Sequence, residues 1–161
     1  MKKLFLILLF STGSLLFGQK NISLNVGSGV LLVKNNSGIN YDAGITYDVS
    51  PRTGIYASYN YALITVTGTG DRSDLNRFQV GGFYRLLNGS TQISSVVGFS
   101  VLSANDLTII DRKTTLATDL GLVMLFNADK KFSYGIKWLN TFSPSANGGI
   151  MQANICFNYR L

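Results

Sequence analysis

Polar and apolar residues alternate with a period of two through almost the whole chain after Gln19. The clearest run is the last one. Ala153, Ile155, Phe157, Tyr159 and Leu161 fall on one side, and Gln152, Asn154, Cys156, Asn158 and Arg160 on the other. A two-residue period places successive side chains on opposite faces of an extended strand. No segment after Gln19 carries the 3.6-residue period of an amphipathic helix. Seven earlier segments fit the same strand template, at about 21–33, 39–49, 54–66, 76–87, 91–102, 115–127 and 131–142. The sequence therefore predicts an all-β domain of eight strands, with no domain boundary or linker inside it.

The connections also follow a pattern. Ser50–Thr53, Asn88–Ser90 and Ala128–Lys130 are short and rich in turn residues. The segments 34–38, 67–75, 103–114 and 143–148 are longer. Short turns after even strands and longer loops after odd ones predict an antiparallel up-and-down barrel, with its long loops at one end.

Alternation alone leaves open which face points inward. A soluble eight-stranded barrel buries the apolar face around a ligand, whereas a transmembrane barrel turns it to lipid. Charged residues make up 14% of the chain, against roughly 25% in soluble domains. The polar faces carry mainly Gly, Ser and Asn, which suit a narrow bore. Their charges, Asp42, Asp48, Arg77, Arg85, Asp119, Lys137 and Arg160, are expected inside, pairing across it. Aromatics on the apolar faces group toward strand ends. Tyr47, Tyr84, Phe126, Phe132, Tyr134 and Tyr159 lie toward the short turns, and Tyr41, Tyr61, Phe78, Phe99 and Phe142 toward the long loops. Two such girdles are expected where a barrel crosses two interfaces. Strands of this length also exceed the roughly 9–11 residues a tilted strand needs to span a bilayer. These features favour the membrane barrel. The alternatives are a secreted soluble barrel that binds an apolar ligand and, third, a barrel enzyme that works without histidine.

The N-terminus fits an exported protein. Lys2 and Lys3 precede an apolar run from Leu4 to Phe10, and Leu15-Leu16-Phe17 follows. This is the layout of a cleavable signal peptide, expected to span residues 1–18 and to leave 19–161 as the barrel domain. Strand 1 begins just after the leader and the strand number is even, so both termini are expected on the periplasmic side, with the long loops outside.

Several chemistries are excluded or unsupported. The chain has no histidine, which removes imidazole acid–base catalysis, the Ser-His-Asp triad and His metal ligands. Its single cysteine, Cys156, forms no internal disulfide. Gly70-Asp71-Arg72-Ser73-Asp74 lacks the ligand series of a calcium loop, and Gly27-Ser28-Gly29 introduces no helix to hold a phosphate. No basic stripe supports nucleic-acid binding. No catalytic residue, metal or cofactor is expected. Arg72, Arg112 and Lys113 put positive charge on the long loops, suited to solubility or to lipopolysaccharide phosphates. Leu107, Ile109 and Ile110 stand in the longest loop and are read as strand extensions above the membrane, or else as a sticky edge for a partner.

The pattern over residues 21–161 resembles the small eight-stranded outer-membrane barrels of Gram-negative bacteria, the OmpA/OmpX-like group, including porin-family barrels of the Bacteroidota. The most specific part is the C-terminal strand, with Ile155, Phe157, Tyr159 and Leu161 on its apolar face. It is similar to the signal by which the barrel assembly machinery recognises its clients, although that signal usually ends in an aromatic where this chain has Leu161. The resemblance implies an integral outer-membrane protein in contact with lipid, with a structural or surface-interaction role, no catalysis and no large pore. Enzymes of this shape rely on a catalytic histidine, which this chain lacks.

Overall fold

The computed structural model describes residues 21–105 and 109–161, apart from the side chains at 147 and 148. The expected leader and Leu107 lie outside them. Eight strands follow one another: β1 (Ile22–Val33), β2 (Asn36–Asp48), β3 (Thr53–Thr65), β4 (Arg72–Leu87), β5 (Thr91–Ala104), β6 (Thr114–Phe126), β7 (Phe132–Ser143) and β8 (Ala146–Arg160). Each pairs antiparallel with the next, and β8 pairs with β1, so the sheet closes into a barrel. Closure leaves no edge strand whose backbone groups need a partner, which an antiparallel sheet requires inside a membrane.

The register fixes the barrel's shape. A path along paired residues from Ile22 passes Tyr47, Ile55, Gly82, Val97, Leu120, Asn140 and Met151, and returns to β1 at Leu32, ten residues farther on. An offset of this size over eight strands tilts them by about 40° from the barrel axis.

The alternation read from the sequence holds in every strand. Leu24, Val26, Ile39, Ile55, Val80, Val97, Leu120, Ile136 and Ile155 face outward, and Asn40, Asn60, Gln79, Asp119, Gln152 and Asn154 face inward. Outward apolar residues cover about ten residues of each strand. At about 3.3 Å per residue and this tilt, the band is roughly 25 Å tall, the height of the apolar belt of a transmembrane barrel.

The ends differ from expectation. The connections 34–38 and 143–148 are not loops. The strands continue through them and leave only the two-residue turns Lys34-Asn35 and Pro144-Ser145. Lys34 takes the left-handed conformation, φ 52°, that a tight turn demands. Loops longer than the short-end turns therefore remain only after β3 (66–71) and β5 (105–113). The first rises into solvent with Gly68 and Gly70 at positive φ. In the second, Ile109 and Ile110 are buried.

Candidate functional site in the barrel interior

The outer wall is the first surface to account for. Tyr41, Phe78, Tyr84, Phe99, Phe132, Tyr134, Phe142 and Tyr159 are exposed on it, and Tyr47, Tyr61 and Phe126 are half-buried there. The short-turn group packs laterally, with Phe126 against Tyr134 and Phe132 stacked on Phe157 at centroid distances of 5.7 and 5.9 Å. Of the long-loop group, Tyr41, Tyr61 and Phe99 sit within the apolar band, because Ile39, Leu63 and Val101 continue it toward the loops beyond them. There the Tyr61 hydroxyl donates to Asp74 at 3.1 Å, and the Tyr59 hydroxyl donates to Asn76. Of the expected assembly signal, Ile155, Phe157 and Tyr159 face outward, and the Leu161 amide donates to the Ile22 carbonyl at 3.0 Å.

The bore falls into three layers. At the long-loop end the inward face turns apolar. Leu31, Val33, Ala62, Ile64, Leu75, Leu102, Ala117 and Ile150 form one buried cluster. Ile109 and Ile110 complete it from above, both with 0% exposure. They are neither strand extensions nor a sticky edge. They pack into the mouth of the bore, where water exclusion favours a dry seal. Two contacts hold the loop there: the Asp111 amide donates to the Ser145 carbonyl at 2.8 Å, and Lys34 pairs with Asp111 at 2.8 Å.

Below the plug lies a polar belt. Asn40 Oδ1 accepts from both Asn60 Nδ2 and Gln152 Nε2, each at 2.9 Å. Arg77, 1% exposed, donates through Nη1 to Thr141 Oγ1 at 2.8 Å, and that hydroxyl donates to Asp119 Oδ1 at 2.5 Å. The threonine thus links a buried cation to a buried anion, a charge-assisted relay that is costly to break. Ser58 donates to Gln79 at 3.1 Å and extends the belt downward.

The third layer, at the short-turn end, is open. Lys137 pairs with Asp42 at 3.0 Å, and Arg85 with Asp48 at 2.5 Å. Arg85 also donates to the Pro51 carbonyl and lies 5.0 Å from the centre of the Phe83 ring. Arg160 donates to the Ala128 carbonyl at 3.2 Å. All seven charges expected inside therefore line the bore. Between them is a cavity of about 90 Å³, walled by Val96, Val123, Leu125, Leu139 and Cys156. Tyr56 lies across Gly81 and Gly98 on the far wall. A Cβ at 98 would sit 2.6 Å from its hydroxyl oxygen, so the glycine makes room for the ring.

Two features of the bore were missed in the sequence. The plug announced itself only where both parities turn apolar, as in Val30-Leu31-Leu32-Val33 and Ala62-Leu63-Ile64. Phe83 was passed over between the outward Gly82 and Tyr84.

No protein-family model matches this sequence, and no curated protein matches it. Solved structures do match its fold. Neisserial surface protein A superposes with a TM-score of 0.66 at 8% identity, over 89% of this chain and 98% of that one. The N-terminal β-barrel domain of Pseudomonas aeruginosa OprF gives 0.58 at 9% identity, over 89% and 98%. The outer-membrane enzyme PagL gives 0.56 at 14% identity, over 88% and 99%. At these identities the likeness is one of fold. The chain is an eight-stranded antiparallel barrel of the kind found in bacterial outer membranes, with its apolar face outward.

Proposed function

We propose that the chain is an integral outer-membrane protein with a structural or surface-interaction role, and that it neither catalyses a reaction nor forms a large pore. The observation that carries this reading is the pairing of two opposite faces. A continuous apolar band covers the outside, and a bore blocked by an apolar plug and a polar belt fills the inside. The apolar outer wall argues against the soluble alternative, which would bury that face around its ligand. PagL shares the shape and is an enzyme, but this chain has no histidine to supply an imidazole, and Arg77, Arg85 and Lys137 each bond to a side chain of the wall.

On this reading both termini and the short turns are periplasmic. The loop at 66–71 and the exposed Asp111–Lys113 segment then face outward and carry any recognition. Arg112 lines one surface pocket with Asp111 and the exposed Leu116 and Val101, a cation near apolar side chains, which suits the phosphates and acyl chains of lipopolysaccharide. The barrel assembly machinery is the expected insertion partner, acting on β8.

The test is surface labelling of intact cells. Asp71→Cys is expected to react with a membrane-impermeant thiol reagent, and Gly89→Cys is not, with the protein recovered in the outer-membrane fraction. Reaction at position 89 alone would reverse the orientation. Recovery in the soluble fraction would overturn the reading. In planar bilayers the purified barrel is expected to show no stable porin-sized steps.

A further inference from the structure

The cavity at the short-turn end has no part in the proposed function. It is walled by Val123, Leu125 and Leu139, and Arg85 and Arg160 stand at its mouth. These apolar side chains share the wall with Ser58, Gln92 and the mutually paired Asp42 and Lys137, and the mouth is cationic. Asp48 answers one of the two mouth charges, that of Arg85, whose Nε has no hydrogen-bond partner among the described residues. Arg160 donates only to a neutral carbonyl and forms no ion pair among them. The buried Tyr56 hydroxyl, deeper in, is likewise unpartnered. The polar belt and the plug close the route from the long-loop end, so a ligand enters past the two arginines.

We propose that this cavity binds a short-chain carboxylate, with its tail against Val123, Leu125 and Leu139 and its charge at Arg85 and Arg160. The sign follows from the uncompensated positive charge at the mouth, which repels an amine of the same length. The length follows from volume. At about 90 Å³ the cavity is smaller than one that holds benzene, at about 150 Å³, and it accepts roughly four carbons. Guanidinium forks suit a carboxylate, and an apolar wall favours an alkyl tail over a hydroxylated one.

Butyrate is the probe, titrated into the full folded barrel in detergent micelles and followed by amide and methyl NMR. Saturable shifts are expected at Val123, Leu125, Leu139 and Cys156, with little change at Ile109 and Ile110. A ligand of about six non-hydrogen atoms is expected to bind at around millimolar concentration. Arg160→Gln is expected to weaken binding about tenfold, the loss of one charge-assisted contact. Val123→Phe fills the cavity and is expected to abolish the shifts. Equal shifts with butylamine would overturn the proposal, as would shifts confined to the outer wall, unchanged affinity in Arg160→Gln, or no saturation well above the millimolar range. The wild-type titrations with butyrate and butylamine decide the matter even if Val123→Phe fails to fold.

Discussion

The two ends of the bore are built from the same strands and the same alternation, yet they are opposites. At the long-loop end the inward residues are Leu31, Ile64, Leu75 and Leu102, topped by Ile109 and Ile110, and the packing is that of a soluble protein's core. At the short-turn end they include Arg85, Arg160, Gln92 and Asn158, arranged around open volume. The backbone therefore decides only which residues face inward. Their chemistry decides whether the bore is sealed by close packing or lined by charge, and one barrel accommodates both because the belt of Arg77, Thr141 and Asp119 separates them.

The largest effect is expected at that separation. Asp119→Ala leaves the Arg77 guanidinium buried without its anion and is expected to cost about 3–5 kcal/mol in denaturant unfolding of the membrane-folded barrel. A loss near zero would mean that water from the open end reaches Arg77, and the division into two regions would fail. Next come paired truncations. Ile64→Ala in the plug is expected to cost about 2–4 kcal/mol, because close-packed neighbours cannot collapse onto the gap. Val123→Ala beside the cavity is expected to cost about 1 kcal/mol, since space is already present there. Equal costs would show that the two ends pack alike. The smallest effect belongs to the latch. Asp111 is half-exposed, so Lys34→Ala is expected to change global stability by less than about 1 kcal/mol. Hydrogen exchange at Ile109 and Ile110 is expected to rise nonetheless. Unchanged exchange would show that burial of the isoleucines alone holds the plug.

Strand number, strand parity and the inward charges were legible because each depends on neighbours two residues apart. A run such as Phe78, Val80, Gly82, Tyr84 declares its face without reference to the rest of the chain. The partners of those charges were not legible. Asp48 meets Arg85 across the intervening β3, and Asp42 meets Lys137 only after β8 pairs with β1 and closes the barrel. The plug was hidden for a related reason. Ile109 and Ile110 sit in a segment without periodicity, and nothing local distinguishes a loop that rises from one that folds back. Inward apolar residues near strand ends, such as Val33 and Ile64, were the available signal, and they read equally as strand extensions.

The pairing of β1 with β8, Gly27 opposite Cys156, sets the order of assembly. Seven of the eight strand pairs are local hairpins that form as soon as their second strand is delivered. The eighth joins the two extremes of the chain, so its contact order is close to the maximum this sequence allows, and loop closure makes it the slow step. Until then β1 and β8 each present a bare row of amides and carbonyls, the kind of edge that recruits other chains. Aggregation is therefore expected to concentrate at this one seam, and a slow-folding variant is expected to fail there before it fails anywhere in the finished wall.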